Sequence, residues 1–445
     1  TRQNLSHASE RIFRGVGHTW DWYTLMKIEN SRKKMNRRTA LTAGSVGVVS
    51  MLNWKLPIIA NTAQIKANAK SCILLWMGGG PSQFETWDPK SGHSNGGETQ
   101  SVQTSIPGVN FAAGLKETAS IADELCIIRS MNGPEGSHPR ASYVTQTGYL
   151  PTASVKYPAI GSHFAQHLGD ADANLPSFVR IGNTRNTAKA GLLGVDFDPF
   201  LLSSAERLPD NTQIQTTESR YKRRLGLLNQ LEDDASDDGS KKAVVANRKL
   251  YSKASRMILS PEMDAFDLSK ESPSSREAYG DGSFAAGCLM ARRLVESGVT
   301  FVEVASSNWD THFDNFSRTT DLCAEVDLPF AQLVRDLKQR GMLDSTLVVW
   351  LGEFGRTPRI NGRGGRDHYP RAYSMAMAGC GIKGGQVIGQ TDDGGVEITD
   401  RPVKVNDLLH TLYTVLGVEP EFENLSSIGR PIKIVENGSL IDGVM

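Results

Sequence analysis

The feature that most limits what this chain can fold into is a set of short, almost wholly apolar runs separated by segments of helix length. Residues 72–77 read CILLWM, residues 299–305 VTFVEVA and residues 345–352 STLVVWLG. A run apolar at nearly every position, not at every second one, suits a strand covered on both faces, as in a parallel sheet. Segments 283–297 and about 320–340 read as helices feeding the second and third of these strands. The runs SFVRIG and AYSMAMAGCGI read as further strands, and AIGSHFAQHLG and VKVNDLLHTLYTVLG as further helices. This alternation predicts an α/β fold with a mostly parallel central sheet and helices on both faces. Residues 216–280 break the pattern. They are charged, helix-forming and poor in strand residues, which predicts an inserted helical hairpin over the sheet, with Asp233 to Ser240 as its turn and a solvated charged face.

A length of 445 residues accommodates one large α/β domain with insertions. The formal net charge is zero, so no global field draws nucleic acid or an anionic membrane to the chain. Cys72, Cys126, Cys288, Cys323 and Cys380 are scattered without C-x-x-C spacing, which predicts neither a disulfide framework nor a zinc finger. The N-terminus reads as an address. Basic residues and the Arg37-Arg38 pair precede a stretch with no charge from Thr39 to Trp54, and Ala67-Asn68-Ala69 has the small-residue pattern of a cleavage site. The expectation is a twin-arginine export signal within residues 1–69, a periplasmic or secreted product and the twin-arginine export machinery as a partner. An uncleaved membrane anchor is the alternative, although the uncharged run is shorter than the roughly twenty residues a bilayer span needs. Residues 70–445 then form the folded domain.

In parallel sheets the chemistry sits just beyond the carboxyl ends of the strands. Here the first strand leads to Glu85 and Asp88, VTFVEVA leads to Asp310 and His312, and TLVVWLG leads to Glu353, Arg356, Arg366, Asp367 and His368. Carboxylates gathered without compensation repel one another and are costly to desolvate, and a divalent cation removes that cost. Mixed Asp/Glu/His sets suit zinc, manganese, magnesium or calcium. Arg356 neutralising Glu353 is the competing structural explanation. A second candidate is GSHPRASYVTQTG, where Ser137 or His138 opens a helix, so that a nucleophile there would gain from the helix N-terminus. Ser137 acting only as a helix cap would explain the same serine.

The stretches GGGPSQFETWDPK (78–90), NWDTHFDN (308–315), GEFGRTPRIN (352–361), GRDHY (365–369) and AGCGIKGGQVIG (378–389) resemble the family called domain of unknown function 1501. That resemblance implies an alkaline phosphatase/sulfatase-like three-layer sandwich. Sulfatases carry C/S-x-P-S-R ahead of a T-G pair, and Ser137-His138-Pro139-Arg140 precedes Thr147-Gly148 here. Ser137 matches the nucleophile if Pro139 is kept, and His138 if the spacing to the T-G pair is kept. Where the superfamily places an Asp-His pair after the late strand, this chain has Glu353-Phe354. The family resemblance implies the fold and gives no reaction; taken with the strand-end groups, the superfamily motifs and the export signal, the expectation is an exported, metal-dependent hydrolase of phosphate or sulfate esters, acting on a small-molecule or polysaccharide ester. Its metal ligands would come from Glu85, Asp88, Asp310, His312, Glu353, Asp367 and His368, its nucleophile would be Ser137 or His138, and Arg356, Arg140 and Arg366 would hold the anion. The competing class is a binding or scaffold protein that keeps the fold without the chemistry.

Overall fold

The structure is a computed structural model and describes residues 71–183, 187–235, 241–426 and 428–445. The expected export signal, at residues 1–69, lies outside the described residues, as do residues 236–240 of the expected hairpin turn.

The central sheet has nine strands among the described residues. In chain order they are β1 (Ser71–Met77), β2 (Cys126–Asn132), β3 (Phe178–Ile181), β4 (Phe200–Leu202), β5 (Phe301–Ser306), β6 (Thr346–Leu351), β7 (Tyr373–Ala378), β8 (Gln386–Ile388) and β9 (Val403–Lys404). Their spatial order is β8–β2–β7–β6–β1–β5–β3–β4, with β9 also pairing with β2. All pairings are parallel except those of β7, which runs antiparallel to both β2 and β6.

Every residue of β1 is buried, and its side chains divide between two cores. Ile73, Leu75 and Met77 join one apolar cluster, and Leu74 and Trp76 join the other, as the two-residue repeat of a strand requires. The described helices include α1 (His138–Thr147), α2 (Ile160–Leu168), α3 (Glu218–Ala235), α4 (Lys241–Leu259), α5 (Ser283–Glu296), α6 (Asn315–Gln339) and α7 (Val405–Leu416). Leu289 and Leu294 of α5 and Val326 and Leu333 of α6 pack on the first face. Phe164 of α2 and Leu408 and Leu412 of α7 pack on the second. The α/β architecture, with a mostly parallel sheet covered on both faces, is therefore the observed one. The 216–280 segment contains the helices α3 and α4, and residues 233–235, expected in the turn, instead belong to the last turn of α3. Helix α6 begins at Asn315, earlier than its apolar pattern predicts. All five cysteines are buried and unpaired. No helix among the described residues is long and apolar enough to cross a membrane.

Register brings the loops to one edge. Met77 lies opposite Ser306, and Trp76 opposite Leu351, so β1, β5 and β6 end level. Antiparallel β7 begins beside the end of β2, with Tyr373 opposite Met131. The segment leading into β7, residues 367–372, thus reaches the same edge as the segment leaving β2 for α1.

Candidate active site

Four connections meet at that edge. After β1, Gly79 has φ +120° and lies against the chain at Trp309 and Asp310, where a Cβ would come within 2.6 Å of the Asp310 amide nitrogen. Only a glycine permits that approach. Its N–H donates to Glu353 Oε1 at 3.0 Å. The loop after β5 carries Asp310 and His312. The turn after β6 carries Glu353, and a two-stranded ribbon pairs Gly355–Arg356 with His368–Tyr369. The segment after β2 delivers His138 as the first residue of α1.

Each of these histidines has its Nδ1 turned to an oxygen that can only accept. His138 Nδ1 donates to Glu353 Oε1 at 2.8 Å, His312 Nδ1 to Asp367 Oδ1 at 2.8 Å, and His368 Nδ1 to the Gly136 carbonyl at 2.7 Å. All three Nε2 atoms therefore point inward, and they converge on one carboxylate. Asp310 Oδ1 lies 3.1 Å from His312 Nε2 and 3.3 Å from His368 Nε2, and Asp310 Oδ2 lies 3.3 Å from His138 Nε2. His138, Asp310 and His368 present ligand atoms that lie within 4.8 Å of one another.

Arg356 sets the position of Asp310. The guanidinium is fully buried; Nη2 donates to Asp310 Oδ1 at 2.6 Å and to the Gly79 carbonyl, Nε to the Gly80 carbonyl at 2.9 Å, and Nη1 to the Arg366 carbonyl at 3.1 Å. Burial pulls the Arg356 pKa down, and Asp310 opposes that fall. Burial likewise pushes the Asp310 carboxyl up, but His138, His368 and Arg356 together hold it well below the usual carboxylate range. For His138, burial disfavours the charge, yet Asp310 and Glu353 outweigh it and push the imidazole up to about 9. The His312 hydrogen bond lowers the Asp367 carboxyl.

His138, Asp310 and Glu353 line a cleft of about 460 Å³, together with Trp76, Ser142 and Asn308. Asn308 holds φ +74°, a left-handed conformation that costs energy in a non-glycine residue and is characteristic of constrained sites. Ser142 and Asn308 lie within the stretches GSHPRASYVTQTG and NWDTHFDN, but neither is among the expected site residues. The consecutive glycines at the end of the first strand did mark the close backbone approach at this site.

The remaining expected site residues lie elsewhere or act indirectly. Glu85 accepts from Arg366 at 2.9 Å and from Thr99 at 3.0 Å, away from the histidines. Asp88 is buried against Lys90 at 3.2 Å and accepts from Thr391 at 2.6 Å. Neither reaches the cluster, so the first strand contributes glycine backbone and no carboxylate. Arg366 is fully buried and uses its guanidinium on Glu85 and on the carbonyls of Thr357, Pro358 and Asn95, which leaves it unavailable to an anion. Arg356 is similarly committed: it hydrogen-bonds to Asp310, with the Glu353 charge also supporting its cation, and cannot present itself to an ester. Arg140 pairs with Glu135 at 2.6 Å. Ser137 is the exposed N-cap residue of α1, but its side chain makes no cap bond; it is not part of the cleft lining, whereas His138 is. Asp367 reaches the cluster only through His312.

Fold and site together describe an α/β protein with a histidine- and carboxylate-rich cleft at the carboxyl edge of its sheet. The chain belongs to the family described as "Protein of unknown function (DUF1501)", whose model matches residues 69–445. No curated protein matches it in sequence. Among solved structures it is similar to the PsFucS1 sulfatase from Pseudoalteromonas sp., at TM-score 0.41 and 15% identity over 85% of this chain and 73% of that one. It is also similar to the lipoteichoic acid synthase LtaP from Listeria monocytogenes, at TM-score 0.38 and 11% identity over 85% and 80% of the respective chains. A third is the phosphonate monoester hydrolase of Agrobacterium radiobacter, at TM-score 0.36 and 10% identity over 84% and 79%. None of the three transfers a residue role to this chain.

Proposed function

We propose that the protein is an exported, metal-dependent hydrolase of phosphate or sulfate esters, with His138, Asp310, His312, Glu353 and His368 at its centre. The observation that carries this reading is the convergence of the three Nε2 atoms on Asp310, each ring oriented through its Nδ1. That donor set fits a divalent cation: imidazole nitrogens fixed by carboxylate or carbonyl partners, and one carboxylate with both oxygens in use. His312, His368 and Asp310 would hold the ion, and zinc or manganese suits two imidazoles and a carboxylate better than magnesium or calcium. A bound divalent ion supplies Lewis-acid polarisation of an ester's non-bridging oxygen.

The chain's own residues complete the arrangement. His138 opens α1, where free backbone N–H groups favour an anion, and Glu353 fixes its ring. With its imidazole pushed up to about 9, His138 carries a proton near neutral pH, which supports it, and not Ser137, as the group that transfers a proton to the leaving oxygen. Arg356 acts by holding Asp310. Small-molecule and polysaccharide esters both remain within the reading. The Arg37-Arg38 pair and the uncharged stretch behind it support export through the twin-arginine machinery. Changing both arginines to lysine should leave folded protein in the cytoplasm; unchanged delivery across the inner membrane would remove that part of the proposal.

The test of the central reading is metal content and turnover together. Protein purified without chelators is expected to carry a divalent ion and to hydrolyse an activated aryl phosphate or sulfate near neutral pH. Stoichiometric metal with no turnover on a broad ester panel would favour the binding-protein class instead.

A further inference from the structure

Asn361 sits in the loop between the two ribbon strands, Gly355–Arg356 and His368–Tyr369, and its side chain is in use at both ends. Its Oδ1 accepts from the N–H groups of Arg363 at 2.9 Å and Gly365 at 3.1 Å, while its own N–H donates to the Gly365 carbonyl at 2.8 Å. This half closes the loop on itself. Its Nδ2 donates outward, to the His312 carbonyl at 3.1 Å and to Asp367 Oδ1 at 3.4 Å. Asp367 Oδ1 is the same oxygen that receives His312 Nδ1–H. One amide therefore holds both the backbone of His312 and the carboxylate that orients its ring.

The loop is also built against the His312 segment along its length. Arg366 N–H donates to the Thr311 carbonyl at 3.1 Å, Asp314 N–H to the Arg363 carbonyl at 3.2 Å and Asn315 N–H to the Gly364 carbonyl at 2.9 Å. Gly365 lies directly on the His312 peptide, where a Cβ would collide with the His312 carbonyl. No other residue type fits there without moving His312.

We infer that Asn361 is a positioning residue for His312: through Asp367 it fixes the Nδ1-protonated ring and aims Nε2 at Asp310 and His368. The inference rests on the proposed metal site for its effect on affinity, but not for its effect on the ring. Partners that orient a ligating histidine typically contribute about 10–100-fold to metal affinity.

Asn361→Asp separates the two halves of the amide. It keeps an acceptor for Arg363 and Gly365 and removes the donor facing Asp367 and His312. In the full chain it is expected to weaken zinc affinity by about 10–100-fold. Nitrogen NMR of the histidine-labelled protein, with His312 assigned from its loss in His312→Gln, is expected to show the Nδ1-protonated ring giving way to a mixture of tautomers. Asp367→Asn, at an exposed side chain, carries the same expectation if Asn361→Asp folds poorly. Unchanged zinc affinity and an unchanged His312 tautomer in a variant whose melting temperature alone falls would reduce Asn361 to a loop-closing residue and overturn the inference. If the wild type binds no zinc, the metal site fails, and the tautomer comparison still decides the role of Asn361: a shift sustains it and no shift ends it.

Discussion

His312 Nε2 and His368 Nε2 face each other 3.0 Å apart. Each ring turns its Nδ1 to an acceptor, so both Nε2 atoms crowd into the same space, with Asp310 Oδ1 beside both. Two imidazole nitrogens and a carboxylate oxygen at this spacing form a donor set that a divalent ion would fit. A divalent ion is thus expected to raise the melting temperature of chelator-treated protein, by the linkage of binding to folding. His312→Ala should weaken metal binding by more than the roughly 10–100-fold that loss of an orienting partner costs. Calorimetric titration with zinc and with manganese checks both statements.

The contrast between Ser137 and His138 gives a second outcome. Ser137→Ala removes a side chain that makes no cap bond and lies outside the cleft lining, so turnover and stability should both stay near wild type. His138→Ala should lower kcat/KM by about 10²–10⁴-fold, the usual contribution of a proton-transferring group. The reverse ranking would return the nucleophile to Ser137.

Arg366 and Glu85 form a buried pair at 2.9 Å. Arg366→Met would leave the Glu85 carboxylate buried without its cation, at an expected cost of about 3–5 kcal/mol. Urea unfolding measures that loss. A change in KM with stability intact would instead put Arg366 in contact with substrate.

His163 supplies a pH dependence away from the site. Burial, with His167 nearby, pushes its imidazole down to about 3. The ring stays neutral in the folded protein while the unfolded chain binds a proton below its ordinary pKa of about 6.5. Stability contributed by this group is therefore complete above about 6.5 and declines as the pH falls toward 3, by at most about 1.4 kcal/mol per pH unit. His163→Gln should flatten that part of the stability curve relative to wild type, as read by unfolding at a series of pH values.

The strand-forming runs make the sheet legible in the chain itself. β1, β5 and β6 are apolar at almost every position because helices cover both faces, and that constraint is local enough to read residue by residue. The same logic locates Asp310, His312, Glu353 and His368, since each follows a strand end. Glu85 and Asp88 follow a strand end too, but position along the chain does not say which way a loop folds, and theirs turns into buried pairs with Arg366 and Lys90.

The class of fold and the pool of candidate groups are thus written in the order of the residues, because burial patterns and strand-end positions are properties of short segments. Which of those groups meet is a matter of packing alone. His138 lies 172 residues before Asp310 in the numbering (310 − 138) and follows a different strand, so nothing in either segment announces that its Nε2 stands 3.3 Å from Asp310 Oδ2. The level register of β1, β5 and β6 and the reversed direction of β7 bring them together. The arginines show the same division: Arg356 and Arg366 look available to an anion in sequence, and only packing shows that their donors are spent inside the protein. The lone-pair directions of His138, His312 and His368 are likewise set by partners far along the chain, since a ring's tautomer depends on what its other nitrogen touches.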